Sequence, residues 1–261
     1  MQVEFLSQDD PVYLLPFFEE FVRRYSREVE ILQVGLCRTM GKRKRAKLAR
    51  ELLALYGVRG FAKLGWRSAQ ARTLSWWRKG PDAKRYHSIA QLCRAYGIHC
   101  APVNNPNSSG YVSELKRRSP DCLISVACPY ILREEVLSVA SQGCINIHHA
   151  PLPLYKGMMP TFWQLYHGET DVGLTIHYMD ARVDEGEALY QTRLEIRHGE
   201  TLHELICRSK RHAAHCLAEV LRRLAAGEVK PQPLDQTRST KFTFPTLQEI
   251  AEFRLRGHRA I

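Results

Sequence analysis

Short apolar runs alternate along this chain with longer segments whose apolar positions recur every three or four residues. The first run, Val3 to Leu6, reads as a strand. Ser7-Gln8-Asp9-Asp10-Pro11 is the turn after it, with Asp10 suited to an N-cap and Pro11 to the first helical position. A helix to about Ser26 and a strand over Val29 to Val34 follow. Further on, the pattern predicts a helix over Tyr86 to Tyr96 and a strand over His99 to Val103. A helix over Tyr111 to Arg117 comes next, then a strand over Cys122 to Ala127. A helix over Ile131 to Val139 and a strand over Cys144 to Ile147 continue the alternation. Cys122 to Ala127 is apolar almost throughout, as expected of a strand buried on both faces. Asp171 to Asp180 and Ala188 to Ile196 read as strands around an Arg182-to-Glu187 turn. Thr201 to Ala226 reads as a long helix with Gly227 past its end, and Thr246 to about Arg256 as a short one. The alternation predicts an α/β fold, a Rossmann-like, mostly parallel sheet with helices on both faces. Ligands of such sheets sit outside the strands' carboxyl ends.

One segment breaks the rhythm. The chain carries 38 basic and 27 acidic residues, net +11. Residues 38–85 hold 15 basic and 2 acidic residues, net +13, so the remainder, 23 basic and 25 acidic, is −2. The segment also holds Trp66, Trp76 and Trp77, three of the four tryptophans. Thr39 to Tyr56 reads as a basic helix with Leu48, Leu52, Leu55 and Tyr56 on one stripe. Gly57 and Gly60 break it, and Phe61 to Trp77 reads as a second helix. Such a pair suits an anionic membrane surface. It also suits nucleic acid or a nucleotide-linked acceptor, less well in our reading, or a plain solvated face. Lys42-Arg43-Lys44-Arg45 is its densest run of charge.

Composition narrows the class without naming it. At 44% hydrophobic and 25% charged, the chain is an ordinary globular one. It has no apolar run of 18 residues, and its N-terminus reads as a strand rather than a signal peptide. The eight cysteines form no Cys-x-x-Cys and read as small buried hydrophobes in a reducing compartment. His212 and His215, one helical turn apart, read as a solvated face of a mostly polar helix rather than a metal pair. The expected location is cytoplasmic, peripheral on the inner membrane face if the basic segment binds lipid.

The chemistry concentrates at Gly143 to Gly157. Asn146 and His148 stand two apart at a strand's carboxyl end, so their side chains face one way. An amide donor and an imidazole together suit attack on a carbonyl. Asp184, in the later turn, could reach this pair and orient or charge-stabilise the imidazole.

Here the sequence resembles the folate-dependent formyltransferases, which include glycinamide ribonucleotide transformylase, methionyl-tRNA formyltransferase and the sugar N-formyltransferases. Asn146-Ile-His148, Leu152-Pro153 and Tyr155-Lys-Gly157 look like the family's catalytic strand and loop. Pro160-Thr-Phe-Trp163, Gly168-Glu169, Gly173-Leu-Thr-Ile-His177 and Val183-Asp184-Glu-Gly186 continue the match in order. The resemblance implies that 10-formyltetrahydrofolate is the co-substrate, without a metal. It implies that Asn146 holds the formyl oxygen, His148 moves the proton and Asp184 sets the imidazole's charge and position. Tyr130, Ile131 and Leu132, with the backbone around Arg182 and Val183, become candidate folate contacts. Asp9, His149 and Tyr155 become candidate acceptor contacts, although Asp9 stands where relatives carry a glycine-rich phosphate turn and also suits helix capping.

The expected organisation is a catalytic domain over 1–228, with 38–85 as a basic helical insertion, and a short C-terminal tail over 229–261. That tail is too small for the second domain of methionyl-tRNA formyltransferase, which argues against initiator tRNA as acceptor, and tails of this kind often pack on a partner in a homodimer. The expected reaction is formyl transfer to the amine of a small or carrier-linked acceptor. An amino sugar comes first and an amino acid such as hydroxyornithine second. A 10-formyltetrahydrofolate hydrolase and an inactive membrane- or nucleic-acid-binding protein on the same fold are the rivals. The lack of that hydrolase's N-terminal regulatory region counts against the first of them.

Overall fold

The most fully buried strands take the middle of the sheet. The computed structural model describes residues 1–37 and 45–261. From the N-terminus, β1 (Gln2–Gln8), α1 (Leu15–Tyr25) and β2 (Glu30–Cys37) lead to the long α2 (Arg45–Leu74). Then come α3 (Ile89–Ala95), β3 (Cys100–Val103), α4 (Ser109–Arg118), β4 (Cys122–Val126), α5 (Glu134–Leu137) and β5 (Cys144–His148). β6 (Lys156–Gly157), α6 (Pro160–Tyr166), β7 (Asp171–Tyr178), β8 (Ala188–Glu195) and α7 (Leu202–Ala225) follow. The chain closes with β9 (Lys241–Phe242) and α8 (Leu247–Leu255).

Seven strands form one sheet in the order β3-β2-β1-β4-β5-β7-β8. β1 to β5 are parallel, and β7 runs antiparallel to both β5 and β8. The chain winds outward from β1 to β3 and then returns to β4. The crevice between the carboxyl ends of β1 and β4 is therefore the topological switch point. β5 lies next to β4, which puts Asn146 and His148 at that crevice.

Alternation along β1 serves two cores. Val3 and Phe5 face α1 and α7, where the Phe5 ring meets Phe18 at 5.5 Å and Phe21 at 5.3 Å. Leu6 faces the other way, onto Leu115, Leu123 and Val136 beneath α4 and α5. Helices thus cover both faces, as the alternation predicts. A third cluster, including Tyr56, Phe162, Leu205 and Phe253, joins α2, α6, α7 and α8.

The tail belongs to this third cluster rather than to a unit of its own. β9 pairs with β6, Trp163 Nε1 donates to the Thr243 carbonyl at 2.9 Å, and the amides of Leu202 and His203 donate to the carbonyls of Arg259 and Ala260. Residues 229–261 therefore pack on their own chain.

Several boundaries shift from the sequence reading. The helix after β1 begins at Leu15, because residues 11–14 form a turn whose amides at Val12 and Tyr13 are taken by the Asp10 carboxylate. Residues 131–133 are not helical, so α5 is one short turn. Gly57, at φ +67, kinks α2, but the helix resumes at once and ends at Leu74. Gly60 sits inside it, where an added Cβ would come within 2.7 Å of Ile261. Thr39 to Lys44, the expected start of the basic helix, lie outside the described residues. One side of α7 buries Ala213, Ala214 and Leu217, while His215, half-buried, bonds the Tyr25 hydroxyl at 2.7 Å and faces Glu20.

One buried charge is matched in detail. Glu4, 0% exposed in β1, accepts from Arg118 at 2.6 and 2.9 Å and from the Tyr111 hydroxyl at 2.7 Å. Removing one partner of a buried pair strands the other charge. Arg118→Ala is expected to lower the unfolding free energy by about 3 kcal/mol, read as an earlier urea midpoint, with the double variant Glu4→Gln/Arg118→Ala recovering part of the loss.

Candidate functional site

Cross-strand pairing assembles the first half of the site. Asn146 on β5 pairs with His177 on β7, so their side chains share one face of the sheet. His177 Nδ1 lies 2.7 Å from the Tyr178 carbonyl, which only accepts, so Nδ1 carries the proton. Its Nε2 then accepts, and the atom 3.1 Å away must be the donating Nδ2 of Asn146. This fixes the amide's orientation and leaves its second N–H free of His177. Burial, then the neighbouring His148, push His177 down to about 4. It is thus a neutral strut at ordinary pH.

His148 is held in the complementary way. Its Nε2 donates to the Tyr155 carbonyl at 2.9 Å, which leaves the basic lone pair on Nδ1. Asp184 Oδ2 lies 3.7 Å from that atom, and Asp184 Oδ1 lies 3.8 Å from His177 Nε2. A proton arriving at His148 Nδ1 therefore meets a carboxylate at once. Asp184 itself is pinned: Gly157 N–H donates to Oδ2 at 3.1 Å, and the residue sits at φ +58, a region aspartate tolerates better than most. Three groups distant in sequence so converge, as the strand-end spacing and the later turn led us to expect.

They line a cavity of about 650 Å³. One end is the loop after β4 and the turn after β7. Tyr130, Ile131, Leu132, Arg182 and Val183 all line it, with Met179 and Asp180. The shortness of α5 explains how residues 130–132 come to be there. Asn107 clamps this loop, donating to the Ile131 carbonyl at 2.9 Å and accepting from the Arg133 amide.

The other end is polar. Asp10, Tyr13, Tyr56, His149 and Lys210 line it. The Tyr13 hydroxyl donates to the Tyr56 hydroxyl at 2.7 Å. Lys210 is buried, and desolvation lowers its ammonium to about 8 despite Asp10 nearby. Burial likewise raises the Asp10 carboxyl. His149 Nδ1 shares a hydrogen with Ser209 Oγ at 2.7 Å, and its buried Nε2 has no partner among the described residues. Burial, then Lys210, hold His149 well below the usual imidazole range.

Two sequence candidates fall elsewhere. Asp9 is outside this lining and exposed, because the chain turns there and directs Asp10 inward instead. Tyr155 is buried beside Phe242 and bonds Glu169 at 2.7 Å, so its contribution is the carbonyl that holds His148. Conversely, sequence reading passed over Asp10, Tyr13, Tyr56, His177 and Lys210 as site residues. Lys210 had a signal: it lies on the apolar face of α7, four residues from both Ile206 and Ala214. A histidine within the buried strand β7 was a similar cue.

With this geometry in view, the comparisons are decisive for the family. The family model described as formyl transferase matches residues 83–221, more than half of the chain. The chain belongs to the formyl transferase family. It is 33% identical over 159 residues to the methionyl-tRNA formyltransferase of Anaeromyxobacter dehalogenans (strain 2CP-C), covering 61% of this chain and 51% of that protein. It is 35% identical over 153 residues to that of Synechococcus sp. (strain JA-3-3Ab), covering 57% and 47%. The chain thus spans about half the length of the curated relatives it matches. The fold is that of a sugar N-formyltransferase from Shewanella sp FDAARGOS_354, with TM-score 0.58 and 17% identity over 97% of this chain and 86% of that one. It is also that of glycinamide ribonucleotide transformylase 1 from Symbiobacterium toebii, with TM-score 0.59 and 16% identity over 90% and 94%.

The neutral strut sets a pH signature. Folding favours the uncharged His177, so its contribution is complete above about pH 6.5 and is lost as pH falls toward 4. Urea unfolding at pH 7, 6 and 5 should show wild-type stability falling with acid. His177→Gln, which keeps an acceptor for Asn146 but cannot titrate, is expected to shallow that slope by up to about 1.4 kcal/mol per pH unit. Identical slopes would contradict a neutral, buried His177.

Proposed function

We propose that this formyltransferase moves a formyl group from 10-formyltetrahydrofolate to the amine of a small or carrier-linked acceptor, an amino sugar first among them. One observation carries the reading: a free amide N–H, a basic imidazole nitrogen and a carboxylate meet midway along a cavity with unlike ends. The folate's pterin belongs at the Tyr130–Leu132 and Arg182–Val183 end. The acceptor belongs at the end with Asp10, Tyr13, Tyr56 and Lys210, whose mixed donors and acceptors suit hydroxyls around an amine. His149 Nε2 adds one more unused hydrogen-bonding atom there.

The chemistry then balances on named atoms. A neutral amine attacks the formyl carbon, forming the C–N bond while the carbonyl π pair moves to oxygen. Asn146 Nδ2 donates to that oxyanion. His148 Nδ1 takes the amine proton, and Asp184 faces the resulting imidazolium. As the carbonyl re-forms, the bond to N10 of the folate breaks and His148 returns the proton to N10. Formamide and tetrahydrofolate leave.

Supporting likeness comes from an N-formyltransferase of Helicobacter canadensis, solved with folinic acid and dTDP-3-aminofucose, at TM-score 0.56 and 13% identity. The identity to methionyl-tRNA formyltransferases favours initiator methionyl-tRNA as a second acceptor to test.

The test is an acceptor panel of nucleotide-linked amino sugars, hydroxyornithine and initiator methionyl-tRNA, with 10-formyltetrahydrofolate as donor and mass-spectrometric readout. A nucleotide-linked amino sugar should gain one formyl group, and His148→Ala or Asp184→Ala should lower turnover by at least about a hundredfold. Retained turnover in folded His148→Ala would refute the roles, and formate release without any amine would point to a hydrolase instead.

A further inference from the structure

The tryptophans of the basic insertion do not go into a core. The inner side of α2 is already committed: Leu55, Tyr56 and Ala71 are buried, and Gly60 is closed over by Ile261. Arg67 Nη1 bonds His203 Nε2 at 2.9 Å, and Arg254 donates to the Leu55 carbonyl at 3.1 Å. Beyond the helix end, Gln91 Nε2 donates to the carbonyls of Leu74 and Trp77 at 2.9 and 2.7 Å. The helix is therefore fixed to the domain by one side, and its orientation is set.

The opposite side is an apolar stripe in water. Val58, Ala62, Trp66, Ala69 and Thr73 are exposed and follow at intervals of three and four residues, and Trp76 and Trp77 are exposed just past the helix end. Val58 is 75% exposed, Trp66 67%, Trp76 81% and Trp77 71%. Exposed Arg59 and Lys63 flank the stripe on one side and Arg72 on the other. No aspartate or glutamate occurs between Glu51 and Asp82.

We propose that this face of α2 docks the protein on an anionic lipid bilayer. Indole rings partition to the level of lipid headgroups, and Lys or Arg stems reach from an apolar footing to anionic groups. An apolar centre with basic margins matches that layering. A nucleic-acid backbone would meet the cations but give Val58 no apolar phase. A second copy laid face to face would oppose Arg59, Lys63 and Arg72 with their own kind. Among the described residues no helix is long and apolar enough to cross a membrane, so the attachment is peripheral. Tyr56, on the inner side of the same helix, lines the polar end of the cavity. That end consequently sits about one helix width, roughly 10 Å, from the lipid surface. The docking does not depend on which amine is formylated.

Co-sedimentation of the full chain with phosphatidylcholine vesicles containing 30% phosphatidylserine, about that fraction chosen to approach a strongly anionic leaflet, against phosphatidylcholine alone tests this. Binding is expected to the anionic vesicles only, with a blue shift of tryptophan emission. Trp66→Ala/Trp76→Ala/Trp77→Ala should weaken it by at least about tenfold, and each of Arg59→Glu, Lys63→Glu and Arg72→Glu by roughly fivefold or more. Unchanged thermal unfolding of these surface variants shows that they fold. No binding at low salt overturns the proposal. So does undiminished binding by the tryptophan variant, which would mean charge-only adsorption. Self-association abolished by that variant would assign the face to a second copy and overturn it too.

Discussion

The candidate site depends on one close approach of backbone to backbone. Residues 180–187 must fold tightly against the end of β7 for a carboxylate from that turn to reach the carboxyl end of β5. Gly186 makes this feasible, since a Cβ there would lie 1.9 Å from the Tyr178 carbonyl oxygen. Gly157 does the same on the other side, where a Cβ would fall 2.4 Å from the Phe242 carbonyl while its amide ties Asp184. The left-handed backbone of Asp184 is then held from both sides. A side chain at either glycine would push the carboxylate away from His148, and the amide and imidazole would remain without their charge partner.

Around that turn, backbone carbonyls decide which nitrogen is basic. Tyr155 takes the proton of His148 Nε2 and Tyr178 takes that of His177 Nδ1. The first arrangement leaves a lone pair facing Asp184, and the second orients an amide donor. Two histidines in one small space avoid mutual repulsion because burial keeps His177 neutral. At the cavity's polar end the same desolvation lowers Lys210 and raises Asp10.

Much of this was legible in the chain. The strand–helix alternation gives the parallel core, and the Asn146-x-His148 spacing gives the shared face, because both follow from local periodicity. Asp184 was reachable through the ordered motifs around Val183 and Gly186. Asp10 was read only as a cap, and the choice between it and Asp9 rests on the direction of a single turn that sequence does not specify. Tyr56 joins the cavity only because the tail and α7 hold α2 against the domain, a long-range constraint with no local trace. The same constraint turns Trp66 outward.

The most direct measurement is a crystal structure with 5-formyltetrahydrofolate, a stable relative of the proposed donor. The account predicts the pterin between residues 128–132 and 179–183, its one-carbon group pointing along the cavity toward Asn146 and His148, and the far end near Lys210 left open for an amine. A folate bound elsewhere, or one whose tail rather than its one-carbon group lies beside Asn146 and Asp184, would contradict it.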